Sequence, residues 1–248
     1  MTKLDGKIAV ITGGTSGMAL ETAALFAANG AHVYITGRDK TRLDRAVAGL
    51  EAAHPGSVTG VQADSGVPAD LDALFRTVAE KHGRVDVLYA CAGIGSLSEP
   101  LEEVTGASFD EVFAVNVRGT LLTVQKALPL MGAGGSIVLN GSGGSVRGVP
   151  GSTVYAASKA ALRSFVRVWT AEWGPRDLRV NLLNPGPIAT DVVNRIPAGV
   201  IEQIVNGVPA GRMGLPSEIA SAVLFLASDD SRFVRGSELF VDGGFAQV

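Results

Sequence analysis

Lys7-Ile8-Ala9-Val10-Ile11-Thr12-Gly13-Gly14-Thr15-Ser16-Gly17-Met18-Ala19 is the stretch that decides the fold. Its first five residues form a short, mostly apolar run, as expected of a parallel strand covered on both faces. Glycines then break the run, and a helical pattern follows over Met18–Asn29. The same strand–turn–helix unit recurs along the chain. Lys7–Ile11, His32–Thr36, Ser57–Gln62, Val85–Ala90, Ser136–Asn140, Leu178–Leu183 and Glu238–Val241 read as seven strands. Thr41–Ala52, Leu71–Lys81, Phe109–Leu130, Thr153–Trp173 and Ser217–Ala227 read as further helices. Continuous strand–helix alternation predicts an α/β fold. It is a single doubly wound, Rossmann-like domain over residues 1–248, with a seven-stranded parallel sheet and helices on both faces.

Composition narrows the function classes. The chain has 248 residues, 46% hydrophobic and 18% charged, with a formal net charge of −3. That length can bury a large core without disulfides or metal. The charge balance gives no basic face, so nucleic acid is not an expected partner. No apolar stretch has the length of a membrane span, and the N-terminal run is too short for a signal peptide. Cys91 is the single cysteine, which excludes an internal disulfide and suits a reducing, cytoplasmic location. His32, His54 and His82 are scattered and lack ligand spacing, so no metal site is expected. Asn140-Gly141-Ser142 matches a glycosylation triplet by coincidence.

One interval departs from the rhythm. Between Leu183 and Ser217 lie Pro185, Pro187, Pro197, Pro209 and Pro216, with a weak helix at Ala198–Asn206. A long irregular segment after the carboxyl end of a strand reads as a substrate lid, assigned to residues 187–215.

The turn after the first strand suits a pyrophosphate. Glycine lets backbone approach the phosphates, and free N–H groups at a helix start favour an anion. Gly13, Thr15, Ser16, Gly17 and Met18 are the expected contacts. The second strand ends in Thr36-Gly37-Arg38, with no carboxylate for an adenosine ribose. Gly37 leaves room there and Arg38 offers a forked cation, which favours NADP(H) over NAD(H). Asp64, beside Ser65 at the end of the third strand, either accepts from the adenine amino group or serves its own turn. Ala92-Gly93, after the fourth strand, lets backbone approach the cofactor's ribose.

The reacting end is carried by Tyr155 and Lys159, which share a helix face at i and i+4, and by Ser142 just past the fifth strand. A free tyrosine has a pKa of about 10 and shuttles protons poorly at neutral pH. A neighbouring ammonium, with the oxidised nicotinamide, would bring it down. Tyr155 would then protonate a carbonyl oxygen as hydride arrives, and Ser142 would donate a second hydrogen bond to that oxygen.

These residues together resemble the short-chain dehydrogenase/reductase family in its compact form, over nearly the whole chain. The glycine turn, Ala92-Gly93, Asn116, Ser142, Tyr155-Ala-Ala-Ser-Lys159, Asn184-Pro185-Gly186 and Val241-Asp242-Gly243-Gly244 fall in family order. The resemblance implies that Asn116 holds a water relaying protons from Lys159, and that Lys159 bonds the nicotinamide ribose. It implies that Pro185, Gly186, the Ile188 backbone and Thr190 surround the nicotinamide end, and that the enzyme is a homotetramer. Two departures stand out: Ala19 replaces the third turn glycine, and Ala90-Cys91-Ala92-Gly93 replaces a pair of asparagines that brace the central sheet. Within the family the chain looks most like bacterial ketoreductases acting on bulky secondary alcohols. Its pocket is expected from Ile94–Leu97, Gly143–Val149 and Pro187–Val208. Arg147 and Arg195 are expected to face solvent, or else to hold an acidic acyl carrier, as in a 3-oxoacyl-thioester reductase. A non-catalytic NADPH-binding regulatory module is the remaining alternative, and the complete Asn, Ser, Tyr and Lys set argues against it.

Overall fold

The structure, a computed structural model, describes residues 2–95, 99–190 and 198–247. Seven strands form the sheet: β1 (Ile8–Ile11), β2 (His32–Gly37), β3 (Val58–Gln62), β4 (Val87–Ala90), β5 (Ser136–Asn140), β6 (Arg179–Pro185) and β7 (Glu238–Val241). All pairings are parallel, in the order β3-β2-β1-β4-β5-β6-β7. Helices α1 (Gly17–Ala28), α2 (Lys40–Ala53), α3 (Pro68–His82), α4 (Gly106–Phe113), α5 (Thr120–Ala127), α6 (Thr153–Trp173), α7 (Ala198–Asn206) and α8 (Pro216–Ala227) complete it. The fold is the expected Rossmann-like one.

Strand alternation builds two cores from one sheet. Ala9, Ile11, Val33 and Ile35 point to the layer of α1, α2 and α8. Ile8, Val10, Tyr34 and Leu88 point to the layer of α3, α5 and α6. Covering both faces is why β1 reads as an unbroken apolar run. Burying each large apolar side chain contributes roughly 1.5–3 kcal/mol. Strand order reverses between β1 and β4, so a crevice opens outside their carboxyl ends, at Thr12–Gly13 and Ala90–Ala92.

Several expectations need correcting. The single helix expected at Phe109–Leu130 begins at Gly106, because Thr105 and Ser108 form a reciprocal capping box. It is interrupted by a π-helical segment, Ala114–Gly119, and closes in a 3-10 turn containing Pro129. β6 runs two residues further than expected, because Asn184 and Pro185 pair with Phe240 and Val241. Next to Ala90-Cys91, Tyr89 Oη donates to Asn140 Oδ1 at 2.9 Å, joining β4 to β5.

Arg179, at the amino end of β6, is buried among carbonyls. Its guanidinium donates to the main-chain oxygens of Leu226 (2.8 Å), Ser228 (3.1 Å) and Ser231 (3.1 Å), and to Ser231 Oγ (2.6 Å). A cation thus caps the end of α8 and the turn after it, where unpaired carbonyls collect.

Two of the three histidines, His32 and His82, far apart in sequence, meet at the amino-end edge of the sheet. The His32 and His82 rings lie 4.6 Å apart, Tyr34 Oη bonds His82 Nδ1 at 2.7 Å, and His32 Nε2 bonds Thr59 Oγ1 at 3.0 Å. Burial, then the neighbouring His82, holds His32 below its ordinary value. The folded state therefore resists a proton that the unfolded chain accepts below about pH 6.5. Stability is lost as pH falls from there through the folded value. Between about pH 7.5 and 5.5, on either side of the unfolded value, the wild type should lose more Tm than His32→Gln. Parallel Tm–pH curves would refute this.

Candidate active site

The glycine turn is held from both neighbouring strands. Thr36 Oγ1 accepts from Gly13 N at 3.2 Å, and the Thr36 carbonyl accepts from Gly14 N at 2.9 Å. Thr12 Oγ1 accepts from Cys91 N and Ala92 N, each at 3.1 Å, which fixes the loop after β4 beside the turn. Gly13 (φ 72°) and Gly17 (φ 56°) occupy left-handed conformations that favour glycine. A Cβ on Gly13 would lie 3.1 Å from Ala92 Cα. Ser16 is the N-cap of α1, yet its side chain makes no capping bond, so the first-turn N–H groups remain for an external acceptor. Ala19 is buried, and its methyl packs in the core. Met18 packs against that core from the first turn of α1.

A side chain on Gly37 would collide with Thr15, so glycine is required there by the turn itself. Arg38 follows with a side chain 61% exposed, 3.8 Å from Asp64 Oδ2. Asp64 Oδ1 accepts from Gly66 N at 2.8 Å. Of the two readings of Asp64, the turn role is the one its contacts display. Ser65 beside it is buried, and its carbonyl lies against Gly119.

Ser142, Tyr155, Lys159 and Asn116 converge at the same edge of the sheet. Ser142 N donates to Asn184 Oδ1 at 3.0 Å, and Ser142 Oγ accepts from Gly144 N at 3.1 Å. Lys159 Nζ lies 5.8 Å from the Tyr155 ring centroid, one helical turn away. A side chain on Gly95 would collide with that ring. Asn116 sits in the π-helical segment, fully buried. Its Nδ2 donates to the Ile94 carbonyl (2.8 Å) and Ser158 Oγ (2.9 Å), and its Oδ1 accepts from Ile94 N (2.8 Å). A Cβ on Gly93 would stand 3.2 Å from both Asn116 Oδ1 and Lys159 Nζ, so only glycine leaves this approach open.

The electrostatics of the protein groups alone set the starting point for Tyr155. Burial pushes the Tyr155 phenol up, opposed by the neighbouring Ser142 side chain. The chain's own residues do not bring it down. Lys159 is itself buried, its ammonium donates to the Asn140 carbonyl at 2.8 Å, and burial lowers it to about 8. Burial likewise raises the half-buried Cys91 thiol, as expected of an unreactive side chain.

The segment after β6 folds back onto the glycine turn. Gly186 N donates to the Val241 carbonyl at 3.1 Å, following Pro185 at the end of β6. Ile188 forms an isolated parallel bridge with Gly214, closing the neck of the 187–215 excursion. Thr190 Cγ2 is 3.2 Å from where a Gly17 Cβ would be. Ser96, Leu97 and residues 191–197, including Arg195, lie outside the described residues. Arg147 does not face solvent as expected: its NH1 donates to the carbonyls of Gly207 (3.1 Å) and Phe245. A cavity of about 330 Å³ lined by Arg84, Asp86 and Met131 lies at the opposite, amino-end edge and holds no part of this cluster. Among the described residues, no group of three or more His, Cys, Asp or Glu is placed to hold a metal. No helix among them is long and apolar enough to cross a membrane.

Sequence reasoning missed Thr12 and Thr36, whose hydroxyls tie the turn to its neighbours. Both end strands beside glycine loops, a signal that could have found them. It missed Asn140 and Ser158, which gain their roles only from tertiary placement.

Comparison with known proteins agrees with this fold. A family model described as enoyl-(acyl carrier protein) reductase matches residues 13–246. The oxidoreductase asL5 of Sarocladium schorii is 41% identical, over 99% of this chain and 98% of its own. The 3-oxoacyl-[acyl-carrier-protein] reductase FabG of Thermotoga maritima is 36% identical, over 98% of each chain. Among solved structures, levodione reductase superposes with a TM-score of 0.95 at 31% identity, covering 99% of each chain. A short-chain dehydrogenase from Burkholderia cenocepacia in complex with NADP gives 0.93 at 33% identity, covering 99% of this chain and 100% of its own. The chain belongs to the short-chain dehydrogenase/reductase family of oxidoreductases.

Proposed function

We propose that this oxidoreductase uses NADP(H) to interconvert a bulky, neutral ketone and its secondary alcohol. The observation that carries the reading is the convergence of Ser142, Tyr155 and Lys159 beside the Gly13–Met18 turn, at the crevice between β1 and β4. The residues fit the cofactor. The α1 terminus is uncapped, Gly13 and Gly17 give the turn its left-handed conformations, and Lys159 has donors to spare beyond its bond to the Asn140 carbonyl. When bound, the nicotinamide would supply hydride chemistry at the carbonyl carbon. Tyr155 Oη gives the proton to the carbonyl oxygen and recovers it in the reverse direction. Ser142 Oγ donates to the same oxygen. Lys159 stabilises the phenolate by its charge and reaches the ribose. Asn116 holds the Ile94 backbone and a relay water. Pro185, Gly186, Ile188 and Thr190 line the nicotinamide end, and residues 187–215 act as lid within a single domain.

Arg38 with Gly37 selects the phosphorylated cofactor, and Asp64 and Ser65 lie at the adenine end. The large exposure of Arg38 and its loose 3.8 Å approach to Asp64 support this, since the guanidinium is left available. A charge-assisted hydrogen bond is worth about 1.5–3 kcal/mol. Arg38→Ala should therefore weaken NADPH binding by roughly 10–100-fold and leave NADH binding nearly unchanged. Equal weakening of both, by fluorescence titration, would reject the assignment.

A 3-oxoacyl thioester is the second reading, favoured by the Thermotoga maritima relative. Faster turnover of an acyl-carrier thioester than of any neutral ketone would replace the first reading with this one. We place the protein in the cytoplasm as a homotetramer. Family resemblance and the exposed apolar Val168, Phe225 and Phe233 support the assembly; a monomer by sedimentation would exclude it.

A further inference from the structure

We propose that Arg147 is a specificity-determining residue, clamping Phe245 as the apolar wall of the ketone pocket. This rests on the ketone-reducing reading above. Arg147 lies five residues past Ser142, and its own N–H donates to the Gly143 carbonyl at 3.1 Å. From that turn its guanidinium reaches two remote segments. NH1 donates to the Gly207 carbonyl, just past α7, at 3.1 Å and to the Phe245 carbonyl, just past β7. The guanidinium carbon also stands 4.4 Å from the centroid of the Phe245 ring, within cation–π range. Three stretches of chain that meet only in the fold are thereby tied to one side chain.

The tie places Phe245 against the reacting end. A Cβ on Gly143 would lie 3.2 Å from Phe245 Cδ1, so the ring rests on the residue next to Ser142. The rest of the C-terminal segment is equally fixed. Asp242 accepts from Gly244 N (2.9 Å) and Ala246 N (2.8 Å), and Ala210 N donates to the Gly243 carbonyl at 3.0 Å. Phe245 is half-buried, leaving part of its surface for a ligand. A large apolar substituent on the ketone meets this wall; a compact ketone held at Ser142 and Tyr155 does not extend to it. The effect of the clamp is therefore on binding of the large group, not on proton transfer.

The test measures steady-state constants for Arg147→Met, Arg147→Lys and Phe245→Leu with a bicyclic aryl ketone and a compact methyl ketone. Hydrogen exchange at residues 207–208 and 244–247 is read in parallel. Arg147→Met should raise KM for the aryl ketone at least tenfold, with KM for the compact ketone within twofold and kcat within threefold. NADPH affinity should not change, exchange in both segments should accelerate, and Arg147→Lys should recover part of the loss. Phe245→Leu should reproduce the selective rise in KM. Equal KM changes for both ketones, a fall in kcat alone, or unchanged exchange would overturn the clamp. Should Arg147→Met fail to fold, Phe245→Leu decides by the same KM ratio. If the wild type reduces neither ketone, or Tyr155→Phe retains turnover, the ketone-reducing reading has failed, and exchange still reports on the clamp.

Discussion

Replacing Tyr155 with phenylalanine is expected to lower kcat for ketone reduction about a thousandfold, within the 10²–10⁴ range of a positioned general acid. The substitution removes only Oη. The ring still fills its place beside Gly95 and within 5.8 Å of Lys159 Nζ, so fold and cofactor affinity should hold. The size of the loss follows from electrostatics. Without a cofactor, burial keeps the phenol protonated, which is the form needed to donate. A buried ammonium one helical turn away is then placed to stabilise the phenolate as the proton leaves. Ser142 alone cannot supply that proton, because a serine hydroxyl next to no base is a far weaker acid. NADPH affinity within about threefold of wild type, together with the kcat loss, would isolate the chemical role. Turnover within tenfold of wild type would exclude Tyr155 as the donor.

The largest expected effect on stability is at Arg179→Met. The change keeps an unbranched side chain but strips the carbonyls of Leu226, Ser228 and Ser231 of their shared donor. Losing the charge-assisted hydrogen bonds to these buried carbonyls costs about 3 kcal/mol. For a chain of this size that lowers Tm by roughly 6–12 °C. Arg179 sits at the amino end of β6, the opposite end from Asn184 and Pro185, so kcat at 25 °C should stay near wild type. Arg179→Lys should recover part of the loss. A Tm drop below about 2 °C would mean that solvent replaces the guanidinium at little cost.

Much of this architecture is legible in the sequence because its signals are local. The apolar runs of β1, β4 and β5 mark a sheet buried on both faces, and α6 spans the expected Thr153–Trp173. Tyr155 and Lys159 share a helix face by spacing alone. Less legible features depend on distant partners. The π-helical segment at Asn116 carries no distinct period, and the Thr105–Ser108 capping box lacks the usual glutamate or glutamine. His32 and His82 become neighbours only when β2 and α3 pack. Arg147 finds its carbonyls 60 and 98 residues away, so nothing near it in the chain distinguishes a clamp from a solvated charge.

The most direct test follows deuterium from NADPH dideuterated at C4 during turnover of a bulky aryl ketone, with mass spectrometry of the alcohol. The account predicts one deuterium on the carbinol carbon, and the same labelled product formed about a thousandfold more slowly by Tyr155→Phe. An alcohol without the label, or no alcohol despite tight NADPH binding, would contradict it.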